Sequence, residues 1–256
     1  VGGEMVMRLA KEKGIKITPI DSEHSAIWQS LSFDYKKEFR KLILTCSGGA
    51  FRDYTKEQLI TAKASDALKH PNWNMGAKIT IDCATLVNKG FEVIEARWLY
   101  DTDFSKIDVI IHKESIIHSM VEYNDASVIA QMSYPTMEIP ISLALSCPER
   151  LDNGVKSLDF SALGKLTFDK PDTDRFPCLD LIISAGKKGG LYPAVANGAN
   201  EQAVKYYLEN RIGYTDIFEG IKGALDAFKG GNYSTYEELE SANNFGASFI
   251  KNKFGV

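Results

Sequence analysis

The chain has 256 residues, of which 44% are hydrophobic and 25% are charged, so it is long enough to bury a sizeable core. Its net charge of −4, without any Lys/Arg block, argues against a nucleic-acid partner. No apolar run approaches a membrane span and no signal peptide is visible, so we expect no membrane partner. The four cysteines form no C-x-x-C pair, which disfavours structural zinc and fits a reducing cytoplasm.

The first residues predict an amphipathic helix over 2–13, with Met5, Val6, Leu9 and Ala10 on one side. Because residue 1 is valine, we expect the chain to be a fragment that lacks its natural N-terminus. Residues 15–20 predict a short strand, and residues 25–31 predict a helix.

Between that strand and that helix lies the tetrad Asp21-Ser22-Glu23-His24. In extended backbone Asp21 and Glu23 point the same way, so both can reach one ion. Oxygen ligands select a hard divalent cation such as Mg²⁺ or Mn²⁺, and a helix N-terminus favours anions. The alternative is that Asp21 is only the N-cap of the helix.

The segment that follows carries three more candidate features. A strand over 41–45 leads into Ser47-Gly48-Gly49, which is either a tight turn or a loop around a ligand. A loop over 69–76 contains Trp73, for which we expect exposure. Residues 79–82 predict a third strand.

A long helix is predicted from Cys83 to about Tyr100. Its apolar positions predict a core stripe, and Asn88, Glu92 and Glu95 form a polar stripe beside it. Lys89 and Glu92, three residues apart, are either part of a phosphate site or a surface ion pair.

The remaining sequence predicts an α+β fold. Three strands over 107–112, 115–123 and 127–132 form a small, mainly antiparallel sheet flanked by helices. Prolines and turn residues predict a linker, and helices follow, the last with a capping box over 234–237. We therefore predict a catalytic domain over 1–147, a linker over 148–176 and a C-terminal helical bundle over 177–256.

Several motifs, in order, resemble those of the 1-deoxy-D-xylulose 5-phosphate reductoisomerase family. They are Pro19-Ile20-Asp21-Ser22-Glu23-His24-Ser25-Ala26-Ile27, Ser47-Gly48-Gly49, His70-Pro71-Asn72-Trp73-Asn74-Met75-Gly76, Asn88-Lys89-Gly90-Phe91-Glu92-Val93-Ile94-Glu95-Ala96, Ile116-Ile117-His118-Ser119-Met120-Val121, Phe176-Pro177-Cys178-Leu179 and Ala199-Asn200-Glu201. The match extends almost to the end of the chain.

The resemblance implies an NADPH-dependent oxidoreductase and isomerase of the non-mevalonate isoprenoid pathway. The family converts 1-deoxy-D-xylulose 5-phosphate to 2-C-methyl-D-erythritol 4-phosphate by a skeletal rearrangement and a reduction. It also implies a divalent metal (Mg²⁺, Mn²⁺ or Co²⁺), NADPH, a phosphorylated sugar substrate and a homodimer. Only the catalytic and C-terminal domains are matched, and no G-x-G-x-x-G occurs. We therefore expect the main NADPH site to be missing and the fragment alone to be inactive in the reductive step.

Site roles follow from the resemblance, residue by residue. It implies metal binding by Asp21, Glu23 and Glu92, and catalytic roles for Glu23, Glu92, His70 and Lys89. Substrate contacts are implied for Ser22, Ser47, His70, Trp73, Cys83, Asn88, Lys89 and Glu92, and cofactor contacts for Gly48 and Met75. Position 83 departs from the family, which has serine there, so its phosphate contact stays open.

Two other functions are compatible with the residues. One is a metal-dependent phosphosugar aldolase or isomerase that needs no nicotinamide. The other is a non-catalytic module whose sheet serves only dimerisation. Among the remaining polar residues, His118 is equally compatible with a structural and a functional role. For His112 and Glu95 we favour a structural or supporting role.

Overall fold

The computed structural model describes residues 1–35, 37–69, 72–73 and 75–255. Its helices are α1 (Gly3–Lys13), α2 (Ser22–Ser30), α3 (Lys56–Ile60), α4 (Ala64–Ala67), α5 (Ala77–Thr85), α6 (Val87–Leu99), α7 (Glu138–Ser146), α8 (Phe160–Leu163), α9 (Cys178–Lys188), α10 (Tyr192–Leu208), α11 (Tyr214–Ala227) and α12 (Tyr236–Phe254). Its strands are β1 (Lys41–Cys46), β2 (Ile107–Ile111), β3 (Ile117–Glu122) and β4 (Val128–Met132), and a 3₁₀ turn covers Phe104–Lys106.

The chain divides into two compact units. The helical unit comprises Val1–Val6, Gly48–Ile94 and Asp172–Val256, and the sheet unit comprises Met7–Ser47 and Glu95–Pro171. Each unit is assembled from segments far apart in sequence, and one division falls within α6, after Ile94. The predicted domains 1–147 and 177–256, with their linker 148–176, stay a prediction.

The sheet unit contains a mixed sheet in the order β2-β1-β3-β4. Strand β1 is parallel to β2 and antiparallel to β3, and β3 is antiparallel to β4. Leu42, Leu44 and Val121 are fully buried, and α2 packs against β1, β3 and β4. The mainly antiparallel sheet and the α+β class are confirmed, but the sheet also includes β1, which the sequence did not predict as one of its strands.

The helical unit is built around α10, which packs against α9, α11 and α12. A Cβ on Gly198 would lie 1.8 Å from the main-chain oxygen of Asn243, and one on Gly246 would lie 2.2 Å from that of Val195. These glycines therefore let the α10 and α12 backbones touch. The helical C-terminal portion is confirmed, as is a capping box on α12. That box uses Thr235 and Glu238 rather than the predicted Ser234 and Glu237.

Two predicted strands are wrong. Residues 15–20 lie outside every strand that the described residues form. Residues 79–82 lie inside α5, which begins after Gly76. Its buried positions Thr80, Ile81, Ala84 and Thr85 follow the helical period, while Ile79 is exposed.

The predicted helix over 83–100 is two helices. Leu86 adopts a left-handed backbone with φ of 62°, which ends α5 before α6 begins at Val87. Among the described residues, no helix combines the length and apolar character needed to cross a bilayer.

Candidate functional site

The tetrad begins helix α2 rather than following a strand. Asp21 is the N-cap, and its carboxylate accepts a hydrogen bond from the Glu23 N–H at 3.3 Å. The Ser22 hydroxyl donates to Glu23 Oε2 at 2.5 Å. The extended-backbone argument for Asp21 and Glu23 is therefore wrong. Their carboxylate oxygens still lie within 4.8 Å of each other, because the cap and the first helical turn bring them together.

Four ionisable groups of the sheet unit meet at this helix start: Asp21, Glu23, His24 and Glu95. Burial and the nearby Glu23 carboxylate raise the pKa of Asp21 to about 7, although His24 opposes the shift. Burial lowers the pKa of His24, but the carboxylates of Glu95, Asp21 and Glu23 outweigh burial and raise it. Buried carboxylates that repel each other are stabilised by a cation, so the donor set fits a metal ion.

Sequence analysis predicted no individual role for His24 and a structural or supporting role for Glu95. His24 is fully buried, and its Nε2 lies 3.5 Å from Glu95 Oε2. Glu95 follows Glu92 by three residues on α6, so both lie on the polar stripe predicted for this helix. That stripe was the feature of the sequence from which a site role for Glu95 could have been predicted.

The start of α6 holds the Asn-Lys-Gly-Phe-Glu motif in the helical unit. Asn88 Nδ2 donates to Glu92 Oε1 at 2.5 Å, and Lys89 Nζ donates to Glu92 Oε2 at 2.5 Å. Lys89 and Glu92 are each 3% exposed, so their ion pair is buried rather than on the surface. A Cβ on Gly90 would lie 2.7 Å from Ile182 Cβ, which explains the glycine. Because Glu92 is described with the helical unit and Asp21 and Glu23 with the sheet unit, the three-residue ligand set stays a prediction.

The backbone conformation after β1 explains the two glycines there. Gly48 and Gly49 have φ of 83° and 70°, which favour glycine. A Cβ on Gly49 would lie 2.4 Å from the main-chain oxygen of Cys83, so Gly49 lies directly against α5. Ser47 is half-buried and belongs to the sheet unit. The phosphate role of Ser47 and the cofactor role of Gly48 stay predictions.

Cys83 is half-buried and lies within α5. The prediction that it opens the helix carrying Asn88 and Lys89 is wrong, since that helix begins at Val87. The preceding Asp82 is buried and accepts hydrogen bonds from Asn200 Nδ2 at 2.9 Å and Lys78 Nζ at 2.7 Å.

The predicted loop over 69–76 is only partly described. His70, Pro71 and Asn74 lie outside the described residues, so the catalytic and substrate roles of His70 stay predictions. Trp73 and Met75 are half-buried, and their substrate and cofactor contacts stay predictions as well.

The two histidines of the sheet have structural contacts. His112 Nε2 accepts from the Ile116 N–H at 3.1 Å, so Nδ1 carries the proton and faces the Thr167 carbonyl at 2.9 Å. His118 Nε2 lies 3.0 Å from Ser133 Oγ. These contacts favour a structural role for both rings.

Comparison with known proteins identifies relatives across most of the chain. A family model described as 1-deoxy-D-xylulose 5-phosphate reductoisomerase C-terminal domain matches residues 17–100. A second, described as DXP reductoisomerase C-terminal domain, matches residues 132–246. The 1-deoxy-D-xylulose 5-phosphate reductoisomerase 1 of Bacillus thuringiensis subsp. konkukian is 54% identical over 225 residues, covering 88% of this chain and 58% of the relative.

Solved structures give the same result. The Zymomonas mobilis 1-deoxy-D-xylulose 5-phosphate reductoisomerase in complex with NADPH has a TM-score of 0.93 and 37% identity, covering 99% of this chain and 65% of the other. A DOX-P reductoisomerase in complex with NADPH, fosmidomycin and magnesium has a TM-score of 0.93 and 39% identity, covering 99% and 67%. The chain thus spans between 58% and 67% of the length of these relatives.

Proposed function

Because the chain belongs to the 1-deoxy-D-xylulose 5-phosphate reductoisomerase family, we propose that it acts in the conversion of 1-deoxy-D-xylulose 5-phosphate to 2-C-methyl-D-erythritol 4-phosphate. A related structure holds NADPH, fosmidomycin and magnesium, which supports a divalent metal and NADPH as cofactors. This chain would supply the metal-binding and phosphosugar-binding portion. The main NADPH site would lie in the part of the relatives that the chain does not span.

The observation that carries this proposal is the group of carboxylates at the start of α2. Asp21 and Glu23 lie within 4.8 Å of each other, and this proximity together with burial favours a bound cation. We propose Asp21, Glu23 and Glu92 as ligands of Mg²⁺, Mn²⁺ or Co²⁺. Such an ion, when bound, polarises the substrate ketone and orients its oxygens.

The residues of α6 would hold the rest of the substrate. Lys89 offers an ammonium group and Asn88 an amide to the phosphate, and both already donate to Glu92. Through these two hydrogen bonds they also fix the orientation of the Glu92 carboxylate. Ser47 and Ser22 would add hydroxyl donors, and His70 would contact the substrate hydroxyls. Trp73 and Met75 would lie on the loop that shields the sugar from water.

A metal titration tests the proposal directly. We expect the chain to bind Mg²⁺ by isothermal calorimetry, and we expect Glu23→Gln to weaken that binding at least tenfold. Glu237→Gln, at an exposed position of α12, is the matched control and should bind as the wild type does. Binding of Mg²⁺ that is equal in all three proteins would contradict the proposed ligand set.

A second measurement separates the two cofactors. With Mg²⁺ present, we expect the chain to bind fosmidomycin but to show no substrate-dependent NADPH oxidation alone. Turnover by the purified 256-residue chain would contradict the assignment of the NADPH site to another part of the enzyme.

We further propose a homodimer in the cytoplasm. Strand β4 lies at one edge of the sheet, where Val128 and Ile129 are 50% and 46% exposed. Edge strands with exposed β-branched residues favour pairing with another chain. The four cysteines, all among the described residues, form no disulfide, which fits a reducing compartment.

A further inference from the structure

His24 is buried without a hydrogen bond. The residue has no exposed surface, and among the described residues neither Nδ1 nor Nε2 has a hydrogen-bond partner. The Glu95 carboxylate is the near neighbour, with Oε2 at 3.5 Å from Nε2. That distance exceeds the donor–acceptor distance of N–H···O hydrogen bonds, which is about 2.7–3.2 Å. A buried imidazole in this state calls for an additional partner.

The separation of His24 and Glu95 fits two ligands of one cation, with Asp21 nearby. One ligand atom from each of Asp21, His24 and Glu95 lies within 4.8 Å of the other two. Two ligands of one tetrahedral ion, each about 2.0–2.2 Å from the metal, are about 3.3–3.6 Å apart. The separation of 3.5 Å between His24 and Glu95 falls in this range.

We infer that Asp21, His24 and Glu95 form a second cation site in the sheet unit, selective for Zn²⁺. The set contains one imidazole nitrogen and two carboxylates. Imidazole suits Zn²⁺, whereas Mg²⁺ takes oxygen ligands and keeps its waters. The site goes beyond the proposed function, because it differs in ligand chemistry from the oxygen-only set of Asp21, Glu23 and Glu92.

The surrounding structure supports this site. Asp21 and His24 are held by the first turn of α2, and the Tyr100 hydroxyl donates to the His24 carbonyl at 2.5 Å. This hydrogen bond fixes the backbone that presents the imidazole. Glu95 lies on α6 with 48% of its side chain exposed, so it gives an ion from solvent a point of entry.

The sharing of Asp21 has a functional consequence. A carboxylate that binds Zn²⁺ beside His24 is less available to Mg²⁺ beside Glu23. Zn²⁺ should therefore lower the apparent affinity for Mg²⁺, and Mg²⁺ should lower the affinity for Zn²⁺ by the same factor.

Two variants on α6 separate the sites. The metal-free chain is titrated with Zn²⁺ against a chromophoric chelator and, separately, with Mg²⁺ by calorimetry. We expect Glu95→Gln to weaken Zn²⁺ binding at least tenfold and to change Mg²⁺ binding less than threefold. Glu92→Gln should have the opposite effects. Zn²⁺ binding that falls with Glu92→Gln but not with Glu95→Gln would overturn the inference.

A spectroscopic readout identifies the nitrogen ligand. In protein labelled with ¹⁵N-histidine, Zn²⁺ should shift one ring-nitrogen signal that is absent in His24→Gln. Unchanged His24 signals at saturating Zn²⁺ would show that His24 and Glu95 form only an ion pair. Because Zn²⁺ is titrated alone, a failure of Mg²⁺ to bind would defeat the proposed function and leave this test readable. Thermal midpoints of Glu95→Gln and Glu92→Gln verify that both variants fold.

Discussion

The α-carbon of Gly49 faces the backbone of α5 so closely that a Cβ there would lie 2.4 Å from the main-chain oxygen of Cys83. The same Cβ would lie 2.7 Å from the α-carbon of Ala84. Both atoms belong to the backbone, so no side-chain rotation relieves the clash. The close approach of Gly49 to the end of α5 therefore requires the absence of a side chain at this residue.

We predict that Gly49→Ala destabilises the chain more than Gly14→Ala. Both glycines have a left-handed backbone, with φ of 70° and 62°, and alanine in that region costs about 1–2 kcal/mol. Nothing lies within 4 Å of a Cβ on Gly14, whereas overpacking at Gly49 adds about 1–3 kcal/mol. Urea denaturation measures both free energies of unfolding. Equal losses would show that the loop can move away from α5.

The sequence predicts helices best where apolar positions repeat over several turns, as in α10–α12. The secondary structure of short segments is harder to predict, because their residue pattern is compatible with both a strand and a helix. Ile-Thr-Ile-Asp over 79–82 alternates like a strand, yet it lies inside a helix that begins after Gly76. The break at Leu86 has no signal in residue type, because leucine rarely adopts a left-handed backbone.

The candidate site was predictable in part. The tetrad predicts that Asp21 and Glu23 share one divalent cation, and the family resemblance adds Glu92 as a third ligand. For Glu95 the sequence favours a structural or supporting role. The role of His24 depends on tertiary burial and on a residue 71 positions away in sequence, which no local pattern reveals. For the same reason the two units, each assembled from distant segments, could not be read from chain order.

We predict that Asp82 lowers the free energy of unfolding increasingly as the pH rises. Burial raises the pKa of Asp82, although Lys78 and Asn200 oppose the shift. A carboxyl with a raised folded-state pKa contributes stability that is complete below its unfolded pKa and is lost as the pH rises through the folded value. Asparagine does not ionise, so Asp82→Asn does not lose this stability as the pH rises. The free energy of unfolding of Asp82→Asn, relative to wild type, should therefore increase as the pH rises from about 4.

Asp226→Asn is the control for this experiment, and its stability relative to wild type should change with pH in the opposite direction. The hydrogen bond from Lys222 lowers the pKa of Asp226 on α11, so the wild type gains stability as the pH rises through its unfolded pKa. Asp226→Asn should lose stability relative to wild type over the same range. Denaturation curves between pH 3 and pH 8 compare the two variants. A relative stability of Asp82→Asn that is constant or falls with pH would contradict the prediction.

We predict that the double substitution Val128→Lys and Ile129→Lys yields a monomer. Both residues lie exposed on edge strand β4, and lysine on an edge strand opposes pairing with another chain. Leu145→Lys is the control, because Leu145 is 86% exposed on α7 and outside the sheet. Sedimentation equilibrium at micromolar concentration should give a dimer for wild type and control. A wild-type monomer would contradict the proposed assembly.

Cys83→Ser should preserve or tighten the binding of phosphate. Cys83 is half-buried near the end of α5, and the family resemblance implies a serine at this position. A hydroxyl donor to a ligand contributes about 0.5–1.5 kcal/mol net, and a thiol contributes less.

Cys178→Ser is the comparison, because Cys178 is buried in α9 and a hydroxyl there costs packing and solvation. Inorganic phosphate and fosmidomycin are titrated against all three proteins, and thermal midpoints are recorded without ligand. We expect a lowered midpoint only for Cys178→Ser. If Cys83→Ser also shows a lowered midpoint together with weaker ligand binding, the thiol serves the core and not the phosphate.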